Sequence, residues 1–249
     1  MTSILIATRN AHKAAEIRQI LAGDFRFLTQ ADFPAAPGVA EDAGTFAGNA
    51  RKKAEGLAAW LAANPQAAPP AAPLYVLADD SGLEVDALGG RPGVHSARFA
   101  ADALAASGTA TVPVASVGVS PTEYVLRQTS PVGEQNEDIA RDRGNSPDAA
   151  NNAKLLRLLE GIPPEKRTAR FRCVLALAVP GGPTRLFEGV CQGRIALAPA
   201  GARGFGYDPL FVPEGCGRSF AELGDEVKNN VSHRARALAA LRRFLNRAP

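Results

Sequence analysis

The stretch SILIATRNAHKAAEIRQIL, residues 3–21, reads as one strand turning directly into one helix. Residues 3–8 are a short, almost wholly apolar run of the kind buried on both faces of a sheet. Asn10 then supplies a helix cap, and Ala14, Ile17, Ile20 and Leu21 recur at the three-and-four spacing of a helical stripe. A strand feeding straight into a helix N-terminus opens an α/β fold, in which loops at strand ends form the natural rim of a site.

Outward from this unit, a loop with Pro34, Pro37 and Gly38 leads to Glu41 and Asp42. A second helix is expected over about 46–62, with Ala50, Ala54, Leu57 and Leu61 inward. Residues 64–73, NPQAAPPAAP, cannot be helix and read as an exposed linker or insertion. Residues 74–78 predict a short buried strand that stops at Asp79-Asp80-Ser81-Gly82. Residues 101–147 lack clear periodicity and are expected to be a mobile insertion. Residues 151–159 predict a helix, 170–179 and 186–197 strands, and 201–209 a glycine-rich loop. Ser232 caps a last helix with Ala235, Leu238, Leu241 and Leu245 inward. Elements alternate and then mix, so the expectation is a mixed sheet flanked by helices.

The composition bounds the function. With 249 residues, 46% of them hydrophobic, the chain can bury a sizeable core. A net charge of +3 argues neither for nor against nucleic acid, for which a concentrated basic face is what counts. Cys173, Cys191 and Cys216 are odd in number and lack CxxC spacing, which disfavours a disulfide framework and a structural zinc site. The longest apolar runs fall far short of the ~20 residues that span a bilayer. No basic leader precedes the first strand, so a cytoplasmic protein without a membrane partner is expected. Only six of the 28 basic residues are Lys, which draws attention to Lys13, Lys52, Lys53, Lys154, Lys166 and Lys228, although codon bias produces the same skew.

Four segments put polar residues where apolar elements end. Thr8-Arg9-Asn10-Ala11-His12-Lys13 is a strand-to-helix turn with a cation in the first turn, where it opposes the helix dipole. A bound phosphate explains that placement better than a surface helix does, although read alone the segment fits either. Asn49, Lys53 and Leu57 are spaced by four, so Lys53 shares a face with an inner residue while Lys52 points away. Glu41 in the preceding loop is uninterpretable by itself. Asp79 and Asp80 are costly at the end of a buried strand unless a cation or hydrogen bonds satisfy them. Mg²⁺ takes such oxygens together with waters and phosphates. Consecutive strand residues face opposite ways, so only one Asp aims at a given site, and an Asx-turn is the plain alternative. Phe205, between Gly204 and Gly206, presents a flat ring suited to stacking on a base. His233 and Arg234 occupy first helical positions where stability gains nothing from them, which marks a functional site.

Taken together, the segments resemble the inosine triphosphate pyrophosphatase (HAM1-like) family of noncanonical purine NTP pyrophosphatases. The resemblance is carried, in order, by ATRNAHKAAEI (7–17), EDAGTFAGNARKKA (41–54), ADDSGLEVDALGGRPGVHSARF (78–99), RFRCVLAL (170–177), GFGYDPLF (204–211) and KNNVSHRARAL (228–238). It implies a mixed α/β fold of two lobes with a cleft between them, and a single catalytic domain over 1–249 with insertions at 64–73 and 101–147. It also implies a homodimer with no stable nucleic-acid partner. By the same resemblance Thr8 to Lys13 cradle the triphosphate and Lys53 contacts it further. Glu41 and Asp80 are the Mg²⁺ ligands, Asp80 also activates water, and Ser81 contacts substrate. Phe205, Gly206, Tyr207, Asp208, Lys228, His233 and Arg234 form the base pocket. His95 stands where the family frequently has Tyr.

The expected activity is therefore Mg²⁺-dependent hydrolysis of ITP, dITP or XTP to monophosphate and pyrophosphate. No Lys follows a Gly, which excludes a P-loop. The chain has no Glu-Glu pair of the kind that Nudix and MazG-type enzymes resemble. A Maf-like pyrophosphatase acting on modified pyrimidines is the enzymatic alternative, and a noncatalytic nucleotide- or nucleic-acid-binding module the other.

Overall fold

The computed structural model describes residues 2–23, 25–67, 74–104 and 145–247. Six strands form one mixed sheet: β1 (Thr2–Ile6), β2 (Phe25–Thr29), β3 (Leu74–Val85), β4 (Thr168–Ala178), β5 (Arg185–Ile195) and β6 (Phe211–Pro213). Their order is β2-β1-β3-β4-β5-β6. β1 runs parallel to β2 and β3, whereas β3, β4, β5 and β6 pair antiparallel. Among the described residues five α-helices flank the sheet: α1 (Ala11–Leu21), α2 (Phe46–Ala63), α3 (Asp148–Leu158), α4 (Phe220–Val231) and α5 (His233–Leu245).

The expected α/β class stands, with one correction that makes the site. β3 does not stop before Asp79 but continues to Val85. β1 accompanies it only as far as the Ile6–Leu77 pair, while β4 stays beside it to Val85–Ala169. Beyond Leu77 one edge of β3 has therefore lost its strand neighbour, and the turn after β1 lies against that edge. The apolar pattern breaks at Asp79 because the partners of these carboxylates come from distant segments, which a local reading does not contain.

Three apolar clusters fix the sheet. Leu5, Val76, Ala78, Val174 and Ala176 pack with Ala50, Ala54 and Leu57 of α2. On the opposite face Ile4, Ile6, Leu77, Cys173 and Leu175 pack with Ile17 and Leu21 of α1 and Leu238 and Leu241 of α5. The far halves of β3, β4 and β5 build a second lobe in which Leu83, Val85, Phe171, Phe211 and Phe220 enclose Leu155 and Leu159. Each fully buried Leu, Ile or Phe contributes about 1.5–3 kcal/mol, so the clusters fix both lobes about the shared strands. Among the described residues no helix is long and apolar enough to cross a membrane.

Other local expectations change in detail. Pro65–Ala67 form a short 3-10 turn, which tolerates a proline at its start; 68–73 and most of 101–147 lie outside the described residues. β2, β6 and α4 are additions to the expected elements. α4 is hidden in sequence by Gly224, whose φ of 79° breaks the helical path inside it.

Candidate active site

The turn after β1 is built by its own side chains. Thr8 Oγ1 accepts from the Asn10 amide at 3.2 Å, and Asn10 Oδ1 caps α1 by accepting from the Lys13 amide at 3.0 Å. The cap turns Lys13 toward β3, where its ammonium meets Asp79 Oδ1 at 2.7 Å. The cation in the first turn is thus answered by a carboxylate of the neighbouring strand, which a reading from the dipole alone does not foresee. Arg9 is exposed and lies along Gly38, where an added side-chain carbon would stand 2.9 Å from the guanidinium. Ala11 and His12 are exposed at the start of α1.

Asp79 and Asp80 face opposite sides of the sheet. On the α1/α5 side, Asp79 is fully buried and also receives Arg234 Nε at 3.0 Å, the Ser81 hydroxyl at 2.9 Å and the Cys173 thiol at 3.1 Å. Burial alone would raise its carboxyl, but the charges of Arg234 and Lys13 hold it well below the usual range. On the α2 side, Asp80 accepts from Asn49 Nδ2 at 3.1 Å. Asn49 Oδ1 in turn accepts from the Ala43 amide at 2.9 Å, tying the Glu41 loop to the strand. Here burial dominates, and the Asp80 carboxyl is raised despite Lys53 and Lys13. Lys53 Nζ contacts Glu41 Oε2 at 3.0 Å, Asp80 Oδ1 at 3.5 Å and the Asp79 carbonyl at 2.7 Å.

At the other end lies the 204–209 loop. Asp208 accepts from the Phe205 amide at 2.9 Å and from Lys228 Nζ at 2.6 Å, and burial raises its carboxyl against the pull of Lys228. The Phe205 ring is less open than its glycine neighbours imply. His12 stacks on it with centroids 5.3 Å apart, and the Lys228 ammonium lies 4.4 Å from its centre. Gly206 is held through its carbonyl by Asn152 Nδ2 at 3.0 Å. Tyr207 is buried with its hydroxyl donating to the Ser96 carbonyl at 2.9 Å, so it braces the loop.

His233 and Arg234, the first residues of α5, are both buried, and the expectation that stability gains nothing from them is corrected. Arg234 is bonded to Glu16, Asp79 and Ser81. His233 stacks on Phe171 with centroids 4.8 Å apart. Burial, then the charges of Arg234 and Lys228, hold its pKa well below the ordinary value, so the ring is neutral and does not oppose the dipole. Its Nδ1 is buried without a hydrogen-bond partner among the described residues. α5 comes this close because β5 carries Gly189, where a side-chain carbon would sit 2.1 Å from the His233 carbonyl.

These groups line one crevice. Its wider side, about 300 Å³, is bounded by Thr8, Arg9, Asn10, Lys13, Glu41, Lys53, Asp80 and Ser81. Its narrower side, about 120 Å³, is bounded by Phe205, Gly206, Tyr207, Asp208, Lys228, His233 and Arg234. Asn10, Lys13 and Ser81 line both, so the two chain ends meet at the carboxylates of β3. Ala11 and His12 border neither part directly; His12 reaches the narrow end only through its stack on Phe205.

Comparison with known proteins places this arrangement. The model of the Ham1 family matches residues 4–112 and 136–244. The chain belongs to the Ham1 family. The 113–135 stretch left unmatched lies inside the segment without periodicity. A protein of Geobacillus kaustophilus named dITP/XTP pyrophosphatase is 44% identical over 97% of this chain and 93% of its own length. One of the same name from Geobacter sulfurreducens is 43% identical over 98% of this chain and 97% of its own. The structure of a HAM1 protein from Coxiella burnetii superposes with a TM-score of 0.71 at 31% identity, covering both chains completely.

Within this Ham1-family crevice, Glu16 was not foreseen from sequence. It accepts from Lys228 Nζ at 2.6 Å and from Arg234, so α1 carries at once Lys13 and the carboxylate that seats Lys228 and Arg234. The signal was the i, i+3 spacing from Lys13, which puts both on one helix face. For a metal, the donors available are Glu41 and Asp80; among the described residues no group of three or more His, Cys, Asp or Glu side chains could hold one. Two carboxylates fit Mg²⁺, which keeps waters and takes substrate phosphates, and do not fit an all-protein site.

Proposed function

We infer that this Ham1-family chain is a nucleoside triphosphate pyrophosphatase that hydrolyses noncanonical purine nucleotides such as dITP, XTP and ITP to monophosphate and pyrophosphate. The observation that carries it is the single crevice in which a phosphate-type turn, two acidic ligands and an aromatic, cationic pocket meet. The name shared by the curated relatives supports the same reading.

In this reading the base lies against Phe205, taking the ring face that exposed His12 now covers. The triphosphate runs past Ser81 to the turn of Thr8–Lys13, with Lys13 and Lys53 on its oxygens. Glu41 and Asp80 would hold Mg²⁺, which would supply charge neutralisation on the phosphates. A water attacks the α-phosphorus and Asp80 takes its proton. The bond from the α-phosphorus to the bridging oxygen breaks, and pyrophosphate leaves. Burial raises the Asp80 carboxyl above the ordinary carboxylate range, the direction that makes it a better proton acceptor.

Base choice follows from donor counting. The Lys228 ammonium has three protons; Glu16 and Asp208 take two, which leaves one for the 6-oxo group of hypoxanthine or xanthine. Adenine presents an amino donor there and is rejected because donor faces donor, a discrimination that can reach ~10⁴-fold. The enzyme works as a homodimer, the usual assembly implied by the family resemblance, which light scattering at the column exit tests.

Hydrolysis of dITP, XTP, GTP and ATP with a Mg²⁺ titration tests the reading. Pyrophosphate release dependent on Mg²⁺ and selective for dITP and XTP is expected. Equal rates on all four refute the base pocket, and undiminished release in chelator refutes the metal.

A further inference from the structure

Lys53 is held more tightly than a phosphate ligand waiting for substrate needs to be. Its side chain is only 12% exposed, and its ammonium meets three acceptors: the Asp79 carbonyl at 2.7 Å, Glu41 Oε2 at 3.0 Å and Asp80 Oδ1 at 3.5 Å. Two of the three are the carboxylates assigned to the metal. Among the described residues Lys52, one residue earlier, meets only the exposed Asp42, so the arrangement is particular to Lys53.

The charges explain why it is there. The Asp80 side chain is only 8% exposed, and the Lys53 ammonium stands between it and Glu41, 3.5 Å from one carboxylate and 3.0 Å from the other. Without a cation between them, two carboxylates so placed repel each other. The Lys53 ammonium supplies that cation from within the chain. A divalent ion arriving alone would have to displace it or share its oxygens, and either course sets like charges side by side.

We propose that Lys53 is the built-in counter-ion of the Glu41–Asp80 pair in the nucleotide-free enzyme, so that free divalent metal binds weakly and the metal enters with the triphosphate. The phosphates give the ammonium new partners and release the carboxylates, while the Asp79 carbonyl keeps Lys53 tethered. Lys53 thus acts as a gate for metal loading as well as a phosphate contact. This rests on the metal reading given under Proposed function.

Mn²⁺ binding by calorimetry or electron paramagnetic resonance tests it, on the full chain and on Lys53→Met and Lys53→Gln. Each protein is measured alone and with a dITP analogue whose α,β-bridging oxygen is replaced by methylene. Both variants alone should bind Mn²⁺ roughly tenfold or more tightly than the unaltered enzyme. With the analogue present the advantage should vanish or reverse. Variants that remain folded by circular dichroism, yet bind free Mn²⁺ no more tightly than the unaltered chain, overturn the gate; if all three still bind Mn²⁺ with the analogue, the metal reading survives. Absence of Mn²⁺ binding even with the analogue overturns both.

Discussion

Asp79 and Asp80 are neighbours on β3 that serve opposite faces of the sheet in opposite electrostatic states. The Asp79 carboxylate is locked between Lys13 and Arg234 and held strongly acidic; Asp80 faces Asn49 and Lys53 and is raised by burial. One is a structural hub joining both chain ends, and the other is the proposed proton acceptor.

Substituting each by Asn should separate these roles. Asp79→Asn leaves two cations without their shared carboxylate, and breaking a buried pair of this kind costs about 3–5 kcal/mol. Urea unfolding should show that loss. Asp80→Asn removes a carboxylate whose charged form burial disfavours, so stability should hold or rise. Turnover should then fall by about 10²–10⁴-fold. Near-normal turnover by Asp80→Asn removes Asp80 from the proton-transfer role.

The neutral, buried His233 makes stability fall in mild acid. Its folded pKa is depressed below the ordinary 6.5, so below pH 6.5 the unfolded chain takes up a proton that the folded chain does not. As pH falls through 6.5 this progressively lowers the unfolding free energy. The loss is complete once the folded pKa is passed. His233→Phe, stacking on Phe171 in the same way, should lack this component. Parallel pH profiles for the two proteins would show that His233 ionises while folded.

Phe205→Ala tests the base end with little risk to the core, because the ring is only half-buried. Stacking on an aromatic ring is worth about 1–3 kcal/mol per base, so KM for dITP should rise about 5- to 150-fold. Because stacking acts on the base and not on the α-phosphorus, kcat should change much less. A fall confined to kcat would place Phe205 elsewhere in the reaction.

Gly189 tests the seating of α5. Gly189→Ala puts a methyl carbon against the His233 carbonyl and the Ala237 amide, both backbone atoms that cannot rotate aside. Overpacking of this sort costs about 1–3 kcal/mol. Thermal melting should show it, and kcat/KM should fall because Arg234 and His233 shift together. A variant with unchanged melting and activity would mean that α5 yields freely.

Much of the fold was legible because long elements announce themselves. The β1–α1 unit, α2 and α5 follow from apolar spacing and, for α1 and α5, from the caps Asn10 and Ser232. β3 was cut short because Asp79 and Asp80 interrupt its apolar run, and their partners Lys13, Arg234, Asn49 and Lys53 lie far away in sequence. β2 was missed because it is a five-residue edge strand with only partly buried side chains, and β6 because it has three residues. The polar segments were found because their residues break local rules. How they pair was not legible: Glu16, which binds Lys228 and Arg234, looks in sequence like a solvated helix glutamate.

The most direct measurement is a single turnover of dITP with Mg²⁺ in water enriched in ¹⁸O, with both products read by mass spectrometry. Attack at the α-phosphorus within the shared crevice puts the label in dIMP and leaves pyrophosphate unlabelled. Label in pyrophosphate, or release of orthophosphate in its place, would contradict it.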